Sequence, residues 1–544
     1  MANVIRQPCD EGIIRSVEAR APCSRSAGPF VLAATILGSG MAFIDATGVT
    51  VALPAIQGAL GATGVDAQWV VEAYTLLLAA LVLIGGSLGD HVGRRRVFSI
   101  GVGLFALASA LCGLATSPEQ LILARALQGM GGALLVPNSL ALIGASFEEA
   151  RRARAIGTWA GFTAVTMVLG PVLGGYLTEH ISWRGVFFIN VPLAAAVLAI
   201  TLWRVPESRD GGARKLDLPG AALAAVGLGG AVFGLLESSR VGLNDPLVVG
   251  SLIVGAVALG AFLVVEARSP EPMMPLSLFR SRNFAGANAF TLLFYFALAG
   301  TLFFLPLNLV QVQGYSATAA GAAIVPAILV LSSLSHYTGS LADRYGARFP
   351  LVLGPTIAAV GFAMFALPGV KSGSYWITFF PAALVLGVGL ALQAPAVTMV
   401  ALNSVKASHS GLASAINNAF SQTAGLLAIA VLGVLMFATF DANLDDRLAT
   451  LELSPGARQQ LEEEKIKLGA AEAPEGLDTT LARAVDLAID EAYVAGYRTV
   501  MLVAAAMSLA SGVSAALLIE GKRSEEVGGV HAEEEIPQPV VPQP

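Results

Sequence analysis

The chain predicts an all-α integral membrane protein of fourteen crossings, organised as two six-helix halves with two helices inserted between them. Three observations point there. Of 544 residues, 55% are hydrophobic and 13% charged, about half the charged share of an ordinary soluble domain, so charged surface for several soluble domains is lacking. Apolar stretches of roughly 17 to 27 residues recur, each long enough for a helix to cross a ~30 Å hydrocarbon core. The charged turn GGSLGDHVGRRR, residues 85–96, returns as GSLADRYGAR, residues 339–348, each time directly after a long apolar run.

Residues 1–29 carry Arg6, Arg15, Arg20 and Arg25 among Asp10, Glu11 and Glu18. They lack the compact apolar core of a cleaved signal and read as a cytoplasmic tail. The first half, 30–203, holds spans at 30–53, 69–88, 97–115, 118–144, 155–177 and 186–202. Two further spans, 218–236 and 247–265, lie in an inserted segment, 216–266. The second half, 284–520, holds 284–310, 317–334, 351–367, 376–401, 412–440 and 500–518. The two copies of the turn follow spans two and ten, an offset of eight, which is why two helices must be inserted between six-helix repeats. Residues 521–544, with EEE and PQPVVPQP, read as a disordered tail.

Basic residues follow the even-numbered spans: Arg94, Arg95 and Arg96 after span two, Arg151, Arg152 and Arg154 after span four, Arg204, Arg209, Arg214 and Lys215 after span six. Arg268, Arg280 and Arg282 follow span eight, and Arg344 and Arg348 follow span ten. Because cytoplasmic loops retain Lys and Arg, both termini are expected in the cytoplasm and the chain in the inner (cytoplasmic) membrane. The last outer loop, 441–491, has thirteen acidic and five basic residues. Its charge and its alternation of Ala, Glu and Pro predict a solvated linker; the helix formers of ARQQLEEEKIKL leave a helical hairpin as the alternative.

The composition disfavours several functions. Cys9, Cys23 and Cys112 have neither metal-ligand spacing nor the even count of a disulfide framework. No nucleophile constellation or His/Cys cluster suggests an enzyme, a metal or a cofactor. Neither tail nor the acidic loop is large enough for an independent signalling domain. Basic and acidic residues are segregated into different loops, which does not favour nucleic acid.

Three ionisable residues fall inside the apolar spans. Asp45 lies about 22 Å along span one at ~1.5 Å per residue, Arg125 roughly 10 Å down span four from the other side, and Glu72 within about the first turn of span two. They share a depth. Charge inside a membrane is costly and marks pathways. Desolvation favours a neutral Asp45 whereas a nearby Arg125 favours the carboxylate, so conformational control of their distance can bind and release a proton. Asp45 is therefore the expected proton and cation site, Arg125 its electrostatic partner and Glu72 an accessory. The alternative is a fixed ion pair locking spans one and four, with Glu72 snorkelling to the interface.

In span five, Gly161, Gly170, Gly174 and Gly175 around Pro171 present small faces suited to close helix approach. Asp90 and Asp343, beside Arg94 and Arg344, can cap backbone groups or pair across the halves as a cytoplasmic gate; setting topology is the competing role of those arginines. The second half has no Asp or Glu within spans nine to thirteen. Its cavity must rely on neutral polarity and aromatic faces, and Gln128, Phe290, Phe294, Tyr295, Asn308, Gln393 and Asn417 are the expected lining, although such aromatics can equally face lipid.

GSLGDHVGRR and GSLADRYGAR resemble the cytoplasmic signature of the major facilitator superfamily, Gly-x-Leu-Ala-Asp-Arg-x-Gly-Arg-Lys. On that signature fall Gly86, Asp90, Gly93 and Arg94, then Gly339, Asp343, Arg344 and Gly346. IDATGVTVALPAI (44–56) resembles the first-span signature of fourteen-span drug exporters, and LILARALQGMGGALLVP (121–137) the fourth-span one. LGPVLGGYL (169–177) is similar to the fifth-span antiporter signature and WRGVFFINVP (183–192) to the start of the sixth span. Two departures are His91 in place of the usual Arg and Thr166 in place of the first antiporter Gly, which leaves a bulkier helix face. The resemblance implies a major facilitator fold of the QacA and EmrB type. It implies a drug:proton antiporter exporting amphiphilic drugs or toxic compounds, cationic ones among them, by alternating access, driven by the proton gradient without a cofactor. It also implies that span five seals one side of the pathway. Export of one dedicated natural product is the second transport reading. The fold class generally works as a monomer; a periplasmic or outer-membrane adaptor is left open.

Overall fold

The computed structural model describes residues 27–209, 217–371, 373–405 and 410–520. The terminal tails, Arg214 and Lys215, Gly339 and the side chain of Asp343 lie outside the described residues. Among the described residues fourteen helical segments are long and apolar enough to cross a membrane, the sixth and tenth only together with the short turns that precede their main helices. They are α1 Gly28–Leu60, α2 Gly64–Val92, α3 Arg94–Leu114, α4 Pro118–Ser146, α5 Glu149–His180, α6 Asn190–Arg204 and α7 Leu218–Val241. The remainder are α8 Pro246–Arg268, α9 Arg282–Gln311, α10 Val325–Tyr345, α11 Arg348–Phe365, α12 Phe380–Asn403, α13 Ser410–Leu448 and α14 Thr479–Leu518.

The helix ends follow local chemistry. Thr63 and Asp66 form a reciprocal capping box that starts α2. Ser117, Asp217, Asp245, Ser281 and Asp478 accept from the first-turn N–H groups of α4, α7, α8, α9 and α14. Short helical turns, Gly185–Phe188, Ala317–Ala322 and Tyr375–Thr378, precede α6, α10 and α12, so these crossings are broken near one end where the sequence predicts continuous spans. Helices α13 and α14 run well past the apolar stretch, to Leu448 and back to Thr479, because apolar periodicity marks only the part in contact with hydrocarbon.

The duplication shows in packing. Helix α1 packs on α5 and α6, α2 on α4, and α3 on α4 and α6. The same pairs recur eight helices on: α9 on α13 and α14, α10 on α12, and α11 on α12 and α14. Equivalent glycines permit equivalent approaches. A Cβ on Gly101 or Gly131 would meet backbone of the facing helix at 2.7 or 2.6 Å in the α3–α4 pair, and one on Gly354 or Gly389 at 2.9 or 2.7 Å in the α11–α12 pair. Helix α7 packs against α2 and α13, straddling the halves, and α8 packs on α7.

The end of the bundle bearing the 441–491 loop is called the acidic end here, and that bearing the Gly93 turn the basic end. Contacts joining the halves lie toward the acidic end. Gln311 donates to Gln57 at 2.9 Å, linking α9 to α1. The N–H of Thr318 donates to Glu179 at 3.1 Å, and Gly433 of α13 approaches Gln68 of α2.

The solvated linker expected at 441–491 is not what the structure has. Helix Pro455–Glu464 continues into a 3₁₀ turn, Lys465–Ala470, docked on the bundle with Leu461 and Leu468 buried. Lys465 is also buried, and its ion pairs outweigh the composition. Burial would lower its pKa, but bonds to Asp445, Glu462 and Asp441 hold the ammonium above the usual lysine range. The stability these pairs contribute is therefore present below the ordinary lysine pKa and is lost only as pH rises through the raised one.

Gly129 tests the close packing directly, since a Cβ there would lie 2.3 Å from the Tyr74 carbonyl oxygen. Gly129→Ala is expected to lower thermal stability in detergent by about 1–3 kcal/mol. Gly103→Ala, where a Cβ meets nothing within 4 Å, should leave it unchanged or raise it.

Candidate functional site

Four helices bring their buried polar side chains to one point. Asp45 of α1 and Arg125 of α4 are 0% and 1% exposed, and Arg125 donates to Asp45 Oδ2 at 2.5 Å. The other carboxylate oxygen, Oδ1, accepts from Gln128 Nε2 at 2.8 Å and from Asn190 Nδ2 at 2.9 Å. Ser109 of α3 closes the cluster, accepting from Asn190 at 2.9 Å and from Gln128 at 3.3 Å while donating to the Phe187 carbonyl at 2.9 Å. Arg125 is held from its other side. Its Nε donates to the Val70 carbonyl at 2.9 Å, its Nη1 also donates to Gln128 Oε1 at 2.7 Å, and its guanidinium lies 4.4 Å from the Tyr74 ring centroid.

The site is thus a buried ion pair further bonded by neutral donors and acceptors on both partners, an arrangement that makes a buried charge pair tolerable. The break before α6 has a role in it: the turn Gly185–Phe188 presents the Phe187 carbonyl to Ser109. Ser109, Asn190 and Tyr74 escape sequence reasoning because single neutral polar residues in apolar helices carry no pattern. Asn190 lies inside the WRGVFFINVP segment, which was the available signal.

Glu72 shares the depth but not the place. Val65, Trp69, Glu72, Leu76 and Ala79 recur at three- and four-residue spacing on one face of α2. That face meets Val232 and Leu236 of α7 and Leu426 and Ala430 of α13, whereas Tyr74 and Val70 meet Arg125 on the opposite side. Glu72 is 0% exposed, and among the described residues neither of its carboxylate oxygens has a hydrogen-bond partner.

The glycine face of α5 lies between α1 and the short turn Ala317–Ala322 that precedes α10. A Cβ on Gly170 would meet Thr47 Oγ1 at 1.9 Å, one on Gly174 the Gly48 Cα at 2.6 Å, and one on Gly175 the Ala317 carbonyl oxygen at 2.3 Å. The Pro171 carbonyl oxygen lies 2.1 Å from where a Cβ of Gly321 would be. Gly161 is different, with nothing within 4 Å of its would-be Cβ. The bulk of Thr166 is absorbed by Gly40 of α1, whose Cβ would stand 2.9 Å from its methyl group.

At the basic end, Asp90 pairs with Arg94 one turn on, at 2.8 Å, within the first half. Gly93 between them has φ +125°, and a Cβ there would meet Glu207 Cδ at 2.8 Å, so only glycine fits. Glu207, beyond α6, accepts from the N–H groups of Arg95 at 2.9 Å and Arg96 at 3.2 Å. It caps α3 and ties the end of α6 to the turn. Arg344 lies over the Tyr345 ring at 5.4 Å, Gly346 ends α10 at φ +82°, and Gly86 has Pro137 at 3.5 Å from its would-be Cβ.

The expected cavity residues divide. Tyr295 is 37% exposed and Asn417, part-buried, donates to Thr291 at 2.8 Å and Asn288 at 3.3 Å. Phe290 and Phe294 are stacked in the core with Phe362, Asn308 and Gln393 are buried, and Gln128 is consumed by the ion-pair network. Among the described residues no group of three or more His, Cys, Asp or Glu could hold a metal ion.

Comparison with known proteins bears on the same helices. The family model described as Major Facilitator Superfamily matches residues 35–429. The chain is 36% identical over 433 residues to the multidrug resistance protein Stp of Mycobacterium tuberculosis, covering 79% of this chain and 80% of that protein. It is 32% identical over 515 residues to the tetracenomycin C resistance and export protein of Streptomyces glaucescens, covering 93% and 94%. With the cephamycin export protein of Amycolatopsis lactamdurans it shares 37% over 393 residues, 71% of this chain and 81% of that one. The fold is similar to a crystal structure of a bacterial homologue of the human lysosomal transporter Spinster, inward-facing and unoccupied. There the TM-score is 0.61 at 19% identity, covering 90% of this chain and 98% of that one.

Removing one partner of the ion pair should cost more than removing both. Arg125→Met is expected to destabilise the protein by about 3–5 kcal/mol, because it leaves the buried Asp45 carboxyl group without its ionic partner. Adding Asp45→Leu should recover most of that loss, as read by thermal unfolding in detergent.

Proposed function

Since the chain belongs to the Major Facilitator Superfamily and is an efflux transporter, we propose that it exports amphiphilic, cationic compounds in exchange for protons. Asp45 carries the proton and Arg125 controls it. The supporting observation is the Asp45 carboxylate, wholly enclosed yet accepting from Arg125, Gln128 and Asn190. The oxygen left for a proton, Oδ2, is the one that Arg125 holds. Breaking the Arg125 contact frees an oxygen to take one, and the neutral acid then has less need of its partner.

The basic end is the cytoplasmic end, with both termini on that side of the inner membrane. The halves are joined toward the acidic end, so this conformation faces the cytoplasm with the proton released and Asp45 paired. Compound enters from that side. Protonation of Asp45 from the outside, after the halves rock the other way, drives the return. The glycine face of α5 supplies the outer seal by its fit against α1 and the Ala317–Ala322 turn before α10. Tyr295 and Asn417 are the accessible second-half candidates for substrate contact, and the Asp90–Arg94 turn becomes part of the cytoplasmic gate when that side closes. Glu72 holds a separate position against α7 and α13 as an accessory.

A second reading is export of one dedicated natural product. The relative matching 93% of the chain is named as a tetracenomycin C resistance and export protein.

Protein in proteoliposomes with an internal pH indicator, offered lipophilic cations, neutral drugs and polyketide or β-lactam antibiotics, is expected to move protons in a substrate-dependent way. Asp45→Asn should abolish this movement while the protein remains folded. Proton flux that persists in Asp45→Asn with its pH dependence intact removes Asp45 from the role, and a response to a single antibiotic class selects the dedicated exporter.

A further inference from the structure

The loop between α13 and α14 enters the mouth between the halves. Its 3₁₀ turn, Lys465–Ala470, touches α1 and α2 of the first half and α9, α13 and α14 of the second. Lys465 is the fixed point. Its side chain is 5% exposed, and its ammonium reaches Asp441 at 3.1 Å, Asp445 at 2.5 Å and Glu462 at 2.8 Å. Asp441 and Asp445 belong to α13. Nearby, the N–H of Ala473 donates to Asp486 of α14 at 3.3 Å, and Arg447 of α13 pairs with Glu491 of α14. The ion pairs and hydrogen bonds that fix the loop thus go to the second half.

The tip faces the first half and makes a different kind of contact. A Cβ on Gly64, at the start of α2, would meet Leu468 Cδ1 at 2.8 Å and the Ile466 carbonyl oxygen at 3.2 Å. Leu468 has φ +57° and ψ −124°, a conformation that costs a non-glycine residue and persists where its surroundings over-determine it. Next to it, a Cβ on Gly469 would lie 2.7 Å from Tyr493 and 2.8 Å from Gln311, the residue that bonds Gln57 across the halves. The space left among Gln57, Gly64, Gln68, Gln311, Leu468 and Tyr493 is about 10 Å³, room for one water at most. Among the described residues the turn makes no hydrogen bond to the first half.

We propose that the Lys465–Ala470 turn is a plug carried by the second half, sealing the mouth by pressing Leu468 against Gly64 and parting from the first half whenever that mouth opens. The proposal rests on the alternating-access reading. It differs from a loop that stays between the halves as a hinge, because the contact asymmetry decides where the parting occurs. Apolar fit alone has to be undone on the Gly64 side, whereas on the Lys465 side a buried ammonium would have to leave the more exposed carboxylates of Asp441 and Asp445, and a buried charge left without its partner is the costlier outcome.

Two tethers test this. In Gly64→Cys/Leu468→Cys, the position of Leu468 Cγ, which a cysteine sulfur would take, is 3.2 Å from the Gly64 Cβ point, within reach of a disulfide. The companion pair, Gly469→Cys/Tyr493→Cys, ties the turn to α14 instead. In a background with Cys9→Ser and Cys23→Ser, export from loaded vesicles is expected from both reduced proteins. Oxidation should abolish it in the first and leave it in the second. Full export by the oxidised first protein overturns the plug and leaves the transport reading standing; absence of export in the parent protein counts against the transport reading instead. Should either double variant fail to fold, Leu468→Cys alone decides: its reaction with a membrane-impermeant maleimide applied at the acidic end should accelerate during turnover. A rate that turnover does not change overturns the proposal.

Discussion

A single buried ion pair governs how the first half of this protein is built. Asp45 and Arg125 sit where water does not reach, so each lone pair and N–H of the pair needs a partner from the protein. Four helices supply them. Gln128 reaches back along α4, Asn190 comes from α6, Ser109 from α3 and the Val70 carbonyl from α2. The arrangement explains features that look unrelated in sequence: the break before α6 that presents the Phe187 carbonyl, and the tyrosine on α2 against which the guanidinium lies. It also explains asymmetry. The second half repeats the packing pairs of the first and their glycine contacts, but has no Asp or Glu within the apolar stretches of spans nine to thirteen, so ionisable chemistry inside the apolar spans is concentrated in one half of a duplicated frame.

The seal at the acidic end is the other constraint. It is made mainly from small residues and neutral amides, Gly174 on Gly48, Gly175 on Ala317 and Gln57 with Gln311, with the exposed Glu179 accepting from the Thr318 N–H beside them. Such contacts depend on fit and can be made and broken without stranding a charge. The turn carrying Leu468 adds to them from above. Under the proposed proton exchange, coupling is the balance between a charge pair that protonation releases and a seal held by close fit and a few hydrogen bonds.

Much of this was legible in the sequence, for identifiable reasons. Membrane length and repeated turns leave periodic, redundant signals, so the fourteen crossings and the offset of eight could be read from apolar runs and from the return of one charged turn. Asp45 and Arg125 stood out because charge inside an apolar run is conspicuous. Neutral members of the same network were not legible, since Asn190 or Ser109 in a helix looks like any other residue until its neighbours are known. Glu72 misled by depth: position along α2 places it level with Asp45, but only the helical phase, visible once α7 and α13 are in place, turns it the opposite way. The acidic loop misled by composition. Its mean charge suggested a solvated linker, while the structure turns on one lysine surrounded by three carboxylates. Phe290 and Phe294 were read as cavity walls, yet they fill the core of the second half, because aromatic content does not disclose which face a helix turns inward.

The most direct test of the account is spectroscopic and needs no transported compound. Infrared difference spectra recorded as pH is lowered on protein in lipid should develop a protonated-carboxylic-acid band, and Asp45→Asn should lose it. Arg125→Met should show that band already present at neutral pH. A band unchanged by Asp45→Asn would contradict the claim that this carboxylate takes the proton.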